Sequence, residues 1–128
     1  MADVVYVVNG GLDIVTNRIK GSGTEPKYID WGTGVTAATV TDSAMETVKA
    51  DEGRTAGTST RQTTTTANDT YQVVGNMVCV GSGAAITEVG LFDASSAGNL
   101  FLRGTFSAIN LNVDDYIEFT IKTVFDQG

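Results

Sequence analysis

The sequence predicts an all-β protein, a single-domain β-sandwich or jelly-roll-like barrel of about seven to nine short antiparallel strands with at most one short helix. Residue usage is the first observation, since Thr and Val are abundant and there are 15 Gly but only 1 Pro. β-branched residues suit pleated strands, and Gly suits the turns between them. Turn signals also recur about every ten residues. A length of 128 residues fits one domain, so residues 1–128 are expected to form a single β domain.

The first strands are predicted near the N-terminus. Residues 4–8 form a continuous apolar run, and Asn9-Gly10-Gly11 follows as a hairpin-type turn signal. Residues 12–19 alternate roughly between apolar and polar side chains, which predicts a second strand. Residues 28–31 predict a third. The first ten residues are also a candidate arm that contacts a partner.

One segment carries a helical signal, although helical periodicity is otherwise nearly absent. Ser43 stands three residues before Glu46, which is the spacing of a capping box. The segment before Gly53 is therefore either a helix of about two turns or a loop, because so short a helix is marginal without packing.

The second half of the chain predicts hairpins. Residues 58–66 are polar yet β-prone, and an apolar strand over 71–80 follows, so the two form a long hairpin whose first arm faces solvent or a neighbour. Residues 86–93 and 100–106 form a second hairpin. The closing strand alternates most clearly, and its inward side chains are predicted to be Ile117, Phe119, Ile121 and Phe125.

Charge and hydropathy exclude two classes of partner. The net charge is −7, and the 8 basic residues are scattered rather than gathered in a stripe. Nucleic-acid binding depends on clustered Lys and Arg, so no nucleic acid is expected. No run approaches the roughly 18 apolar residues of a membrane span, so no membrane is expected. The N-terminus lacks the basic region of a signal peptide, which predicts folding in the cytoplasm of the producing cell.

The residues that usually perform chemistry are scarce. The chain has no His and a single Cys, Cys79, which we expect to be a small buried hydrophobe. Asp69, Glu88 and Asp93 are the candidate paired carboxylates, but nothing beyond their presence supports that role. Trp31 is either a sugar-stacking residue or, in the favoured interpretation, a core residue. We therefore expect no enzyme activity, no cofactor and no metal site.

Four stretches together resemble small virion proteins of tailed bacteriophages. They are Trp31-Gly32-Thr33-Gly34, residues 68–73 (Asn-Asp-Thr-Tyr-Gln-Val), residues 85–93 (Ala-Ile-Thr-Glu-Val-Gly-Leu-Phe-Asp) and residues 103–111 (Arg-Gly-Thr-Phe-Ser-Ala-Ile-Asn-Leu). The resemblance covers roughly residues 28–125, and residues 86–93 are its most specific part. That stretch is similar both to tail-collar and fibre-attachment domains and to small head-associated proteins. No functional residue is carried over from the family.

The resemblance implies a virion structural protein, and three interpretations of the chain stay open. The favoured one is a capsid cement or decoration protein on the capsid surface, which binds the major capsid protein and copies of itself, as a trimer at local three-fold positions. The second is a tail, collar or fibre-attachment protein. The third lies outside the virion and is a carbohydrate-binding or adhesin module of a secreted protein, which the missing signal sequence disfavours. The expected interface residues are those with β propensity and no clear place in one core, namely Val4, Val5, Tyr6, Val7, Val8, Thr58, Thr60, Thr64 and Thr66.

Overall fold

A computed structural model describes residues 4–128, with side chains from Val5 onward. The elements are β1 (Val4–Val7), α1 (Asn9–Lys20), β2 (Tyr28–Gly32), β3 (Thr55–Ala56), β4 (Thr58–Gln62), β5 (Thr70–Val78), β6 (Ala84–Phe92), β7 (Leu100–Leu111) and β8 (Tyr116–Val124). The strands form a five-stranded sheet in the order β1-β7-β6-β2-β3 and a three-stranded sheet in the order β4-β5-β8. All their pairings are antiparallel. The predicted all-β sandwich with one short helix is confirmed.

The main core lies between the two sheets. It combines buried side chains of the five-stranded sheet, such as Trp31 and Leu91, with Val73, Met77 and Ile121 of the three-stranded sheet. The chain passes from one sheet to the other between β3 and β4, so the sandwich is joined along that side. The opposite side, where β1 and β8 are the edge strands, is open.

The other face of the five-stranded sheet is covered by the β2–β3 loop (residues 33–54). Met45 from this loop packs with Phe92, Leu100 and Val8 in a second buried cluster. The register between β6 and β7 shifts between Leu91 and Phe92, which leaves one extra residue on β7. Such a bulge turns the side chains that follow it. With the three-stranded sheet on one face and the loop on the other, β6 and β7 are buried on both faces over much of their length.

The predicted strand over residues 12–19 is wrong, because this segment belongs to α1. The pair Gly10-Gly11 forms no hairpin turn. It begins the helix at a point of close approach, since a Cβ atom on Gly11 would collide with the carbonyl oxygen of Phe101. The helix ends at Gly21, whose φ of 93° is left-handed. Packing of Ile14 in the main core stabilises a helix whose own propensity is weak.

The alternatives for residues 43–53 resolve in favour of the loop. The capping-box residues do not bond to one another's backbone. Instead the Glu46 carboxylate accepts a hydrogen bond from the Thr36 amide at 2.9 Å, and the Glu46 amide donates to Glu88 at 3.0 Å. Hydrogen bonds to residues distant along the chain therefore replace the local ones that a helix would need.

The predicted hairpins are confirmed with two changes of detail. The Thr-rich strand ends at Gln62, and Thr64 and Thr66 lie in the turn that follows. Along β8 the side chains of Ile117, Phe119 and Ile121 point inward as expected, but only Ile121 is fully buried. Phe125 follows the strand and is 53% exposed, so it does not join that core.

Candidate interaction surfaces

Three of the four stretches singled out in the sequence, residues 31–34, 85–93 and 103–111, meet at a buried carboxylate. Glu88 of β6 is completely buried, and its carboxylate accepts four hydrogen bonds. Oε2 accepts from the amides of Gly34 and Thr47, both at 2.8 Å, and Oε1 accepts from the Glu46 amide at 3.0 Å. Oε1 also accepts from Nε of Arg103 at 2.9 Å. Gly34 has to be glycine, because a Cβ atom there would collide with Glu88 and Glu46.

Arg103 extends this network to the far part of the β2–β3 loop. Its guanidinium is 2% exposed and also donates to the Asp42 carboxylate at 2.9 Å and to the Thr36 carbonyl at 3.0 Å. Burial opposes the charge of Arg103, but bonding to Glu88 and Asp42 outweighs burial and raises its pKa. Burial likewise tends to raise the pKa of Asp42, but hydrogen bonds from Thr39 and Arg103 lower it overall. These charges fix the loop to the sheet.

A second ionic cluster surrounds the predicted core residue Trp31. This side chain is completely buried, which excludes sugar stacking in this structure and confirms the core interpretation. Its Nε1 donates to Glu52 at 2.9 Å, and Glu52 also pairs with Lys49. Burial raises the pKa of Glu52, but the bonds from Lys49, the Val80 amide and Trp31 lower it overall. Cys79 is completely buried, as expected.

The three candidate carboxylates hold separate pieces of backbone. Glu88 lies in the network described above. Asp93 accepts from the Asn99 amide at 2.7 Å and so closes the turn between β6 and β7. Asp69 accepts from the amides of Thr64, Thr65 and Thr66 at 2.8–3.0 Å. These contacts give each of the three carboxylates a structural role, because each one holds backbone amides in place.

The N-terminal segment of the expected interface lies in the sheet. β1 pairs with β7 from Val4 to Val7, and the outer side of β1 has no neighbouring strand within residues 4–128. Val5 and Tyr6 are 56% and 44% exposed, whereas Val7 is half-buried and Val8 is 1% exposed. Val8 is therefore a core residue, which corrects its assignment to the interface.

The predicted arm needs the same correction. Residues 1–3 and the side chain of Val4 lie outside the described part of the chain. From β1 onward the segment belongs to the domain, because the strand is paired and Val8 is packed in the second cluster. Among the described residues of this segment, the outer edge of β1 is accessible to a partner.

The Thr-rich part of the expected interface divides into two surfaces. Thr58 and Thr60 lie on β4, an edge strand of the three-stranded sheet, and both are exposed. Thr64 and Thr66 are also exposed but lie in the turn held by Asp69. The structure thus does not join these four residues to β1 in one patch, since β1 and β4 belong to different sheets.

The Asp69 turn predicts a specific loss of stability in acid. The backbone amides of Thr66 and Thr64, with the Thr70 hydroxyl and the Thr65 amide, hold the pKa of Asp69 far below its ordinary value of 3.8. A carboxyl whose pKa is lowered by folding stabilises the protein above its ordinary pKa and loses that effect as the pH falls below it. We expect the melting temperature of the wild type to fall from about pH 5 downward, and that of Asp69→Ala to fall less. Parallel curves for the two proteins would contradict this role.

Two apolar grooves were not expected from the sequence. The first, of about 480 Å³, lies between α1 and β5 and includes Ile14, Ile19, Tyr71 and Phe125. Burial, followed by the nearby Glu25 carboxylate, raises the pKa of Tyr71. The second groove, of about 560 Å³, lies along the open side of the sandwich between β1, β7 and β8. Neither has a sequence signal of its own, because each forms where elements distant along the chain meet.

Comparisons with known proteins do not assign the chain to a class of protein. No family model, curated protein or solved structure matches the chain. Within the described residues there is no group of three potential metal-ligating side chains. No helix in residues 4–128 combines the length and apolar character needed to cross a membrane.

Proposed function

We propose that this chain is a structural protein of a tailed-bacteriophage virion, and specifically a capsid decoration protein that binds the major capsid protein. The exposed apolar edge of β1 is the observation that carries the proposal. Val5 and Tyr6 are half-exposed on a strand with one neighbour, so they offer apolar side chains and an unpaired edge together. Edges of this kind are usually protected, and a partner strand can complete them.

The backbone of β1 supports pairing at this edge. The Val8 amide donates to the Phe101 carbonyl at 3.0 Å, which continues the β1–β7 register. Bonded and unbonded residues alternate along an antiparallel strand. The backbone groups of Val5 and Val7 therefore point away from β7, towards the free edge.

Helix α1 contributes further apolar side chains. Leu12 and Ile19 are 63% and 82% exposed and stand seven residues apart, which places them on one side of the helix. Contiguous apolar surface, rather than single exposed side chains, marks a contact with another chain, so the proposal rests on the β1 edge and not on these two residues. A stable contact would bury more than about 1,000 Å² in total.

The resemblance stated above supplies the virion context of the proposal. Most of the stretch over residues 86–93 lies in the buried strand β6, so it supports a shared fold and does not discriminate between head and tail. A tail, collar or fibre-attachment role is therefore the alternative outcome of the test. The trimer expected at capsid three-fold positions stays a prediction.

Particles of the phage that encodes this chain provide the test. Particles lacking the protein should release their DNA at a lower temperature, and added recombinant protein should restore the wild-type temperature. Tyr6→Glu should bind such particles about tenfold more weakly or worse, because it places a charge on the exposed side of β1 outside the groove beside β8. Val113→Glu is the matched control, since Val113 is similarly exposed at 47% but lies in the turn before β8.

Two results would contradict the proposal. The first is equal binding of the two variants, which would show that the β1 edge makes no contact with the shell. The second is unchanged release of DNA with the protein present only at the tail, which would support the collar alternative. Circular dichroism of both variants checks that neither has lost its fold.

A further inference from the structure

The solvent-facing residues of the edge strand β8 are arranged symmetrically along the strand. β8 is bonded to β5 on one side and has no strand on the other within the described chain. Its solvent-facing residues are all exposed and comprise Tyr116, Glu118, Thr120, Lys122 and Val124. Thr120 stands at the centre, the two opposite charges flank it, and the two apolar residues lie outermost.

The backbone groups of the same residues point to the free edge. At one end of the strand the Cys79 amide donates to the Asp115 carbonyl at 2.7 Å, and at the other the Phe125 amide donates to Asp69 at 2.9 Å. Both bonds fit the β5–β8 register and involve odd-numbered residues of the β8 segment. Because bonding alternates along antiparallel strands, the N–H and C=O groups of the even-numbered residues are directed away from β5.

A second β8 strand would complement this edge in one register. In an antiparallel pair centred on Thr120, Glu118 of each copy lies opposite Lys122 of the other. Tyr116 then lies opposite Val124. Opposite charges facing each other across two strands are stabilising, whereas like charges are destabilising. Centring the pair on Glu118 or on Lys122 would instead place like charges together.

The open side of the sandwich leaves an apolar groove beside β8. The groove of about 560 Å³ runs along the inner side of β8 and is lined by Val5, Phe106, Ile109, Ile117 and Phe119, among others. Ile109 is 41% exposed and Val5 is 56% exposed. A strand added to β8 would carry its own inward residues, including Phe119, over this groove and cover these apolar side chains.

We propose that two copies of this chain associate through β8 about a two-fold axis at Thr120. The two three-stranded sheets then form one six-stranded sheet, in which each copy presents the same surface to the other. This association does not depend on a virion role. The three-fold contacts expected of a decoration protein would have to use other surfaces, because a two-fold strand pair is closed.

Charge exchange at the edge tests the proposal. Sedimentation of the full chain over a range of concentrations should show a monomer–dimer equilibrium. Glu118→Lys and Lys122→Glu should each weaken the dimer about tenfold or more, because each places two like-charged pairs in the interface. The double variant Glu118→Lys/Lys122→Glu should restore association to within about threefold of wild type, since it exchanges the charges without changing their pairing.

A backbone variant tests the strand pairing itself. Thr120→Pro removes an N–H that points to the free edge, and proline is tolerated at such edge positions. We expect a folded monomer, while the control Thr120→Val keeps the N–H and should still dimerise. If Thr120→Pro fails to fold, the single and double charge variants at positions 118 and 122 test the dimer by themselves.

Three results would overturn the proposal. The wild-type chain could remain monomeric at millimolar concentration, or form an assembly that neither single charge reversal weakens. The double variant could also remain as weak as the single ones, which would show that Glu118 and Lys122 do not face each other.

Discussion

Replacing Glu88 by alanine is expected to lower the free energy of unfolding by about 3–5 kcal/mol, the range for leaving one partner of a buried ion pair alone. Arg103 would keep Asp42 but lose the carboxylate nearest to its Nε. The amides of Gly34 and Thr47 would lose their acceptor as well. A loss of this size is a large part of the roughly 5–15 kcal/mol that stabilises a typical domain. Urea denaturation monitored by tryptophan fluorescence measures it.

Two further variants separate the contributions to this effect. Asp13→Ala removes an exposed carboxylate on α1 and should change stability by about 0.5 kcal/mol or less. Glu88→Leu/Arg103→Met removes both buried charges, yet it still leaves the amides without an acceptor. It should therefore remain clearly less stable than wild type. Full recovery in this double variant would show that the backbone contacts of Glu88 contribute nothing.

Trp31→Ala is the second large expected effect, at about 3–5 kcal/mol for removal of a buried aromatic side chain. Trp31 is completely buried in the main core, so its loss leaves a cavity between the sheets. Trp31→Phe should cost less, because it keeps an aromatic ring. The phenylalanine variant still removes the donor to Glu52, which retains Lys49 and the Val80 amide as partners.

Phe125→Ala provides the comparison for Trp31, because Phe125 is 53% exposed. It should cost about 1 kcal/mol or less in thermal unfolding followed by circular dichroism. If the two alanine variants lost the same stability, Trp31 would not be the core residue that its burial indicates.

Much of the β architecture follows from local patterns in the sequence. β8 alternates over Ile117, Phe119 and Ile121, and the structure places these three on its inner face. β6 and β7 were recognised as a hairpin from their apolar runs and the turn between them. Their burial on both faces has no alternating signal in the sequence, because the β2–β3 loop covers the face that would otherwise meet solvent.

The helix was missed because its sequence carries two misleading signals. Gly10 and Gly11 are typical of a turn, yet here they allow the helix to approach β7 closely. Leu12, Val15 and Ile19 have the spacing of one side of a helix, but the spacing of Leu12 and Ile14 also fits the alternation of a strand. Tertiary packing, rather than local propensity, decides the conformation of this segment.

The surfaces were less predictable than the core. The apolar run over residues 4–8 serves two purposes, since Val8 is buried in the core and Val5 is exposed. Period-2 alternation does not distinguish an inner strand from an edge strand. The β8 edge and its groove become visible only when the strand order is known.

The contacts of Glu88 also bear on the order in which the chain folds. Its three amide donors come from residues 34–47, a segment without regular structure, whereas its charge partner lies on β7. This acceptor site is complete only after β6 and β7 have paired. We therefore expect this segment to become ordered late, and local opening to release all three amides to solvent exchange together, which amide hydrogen exchange would measure.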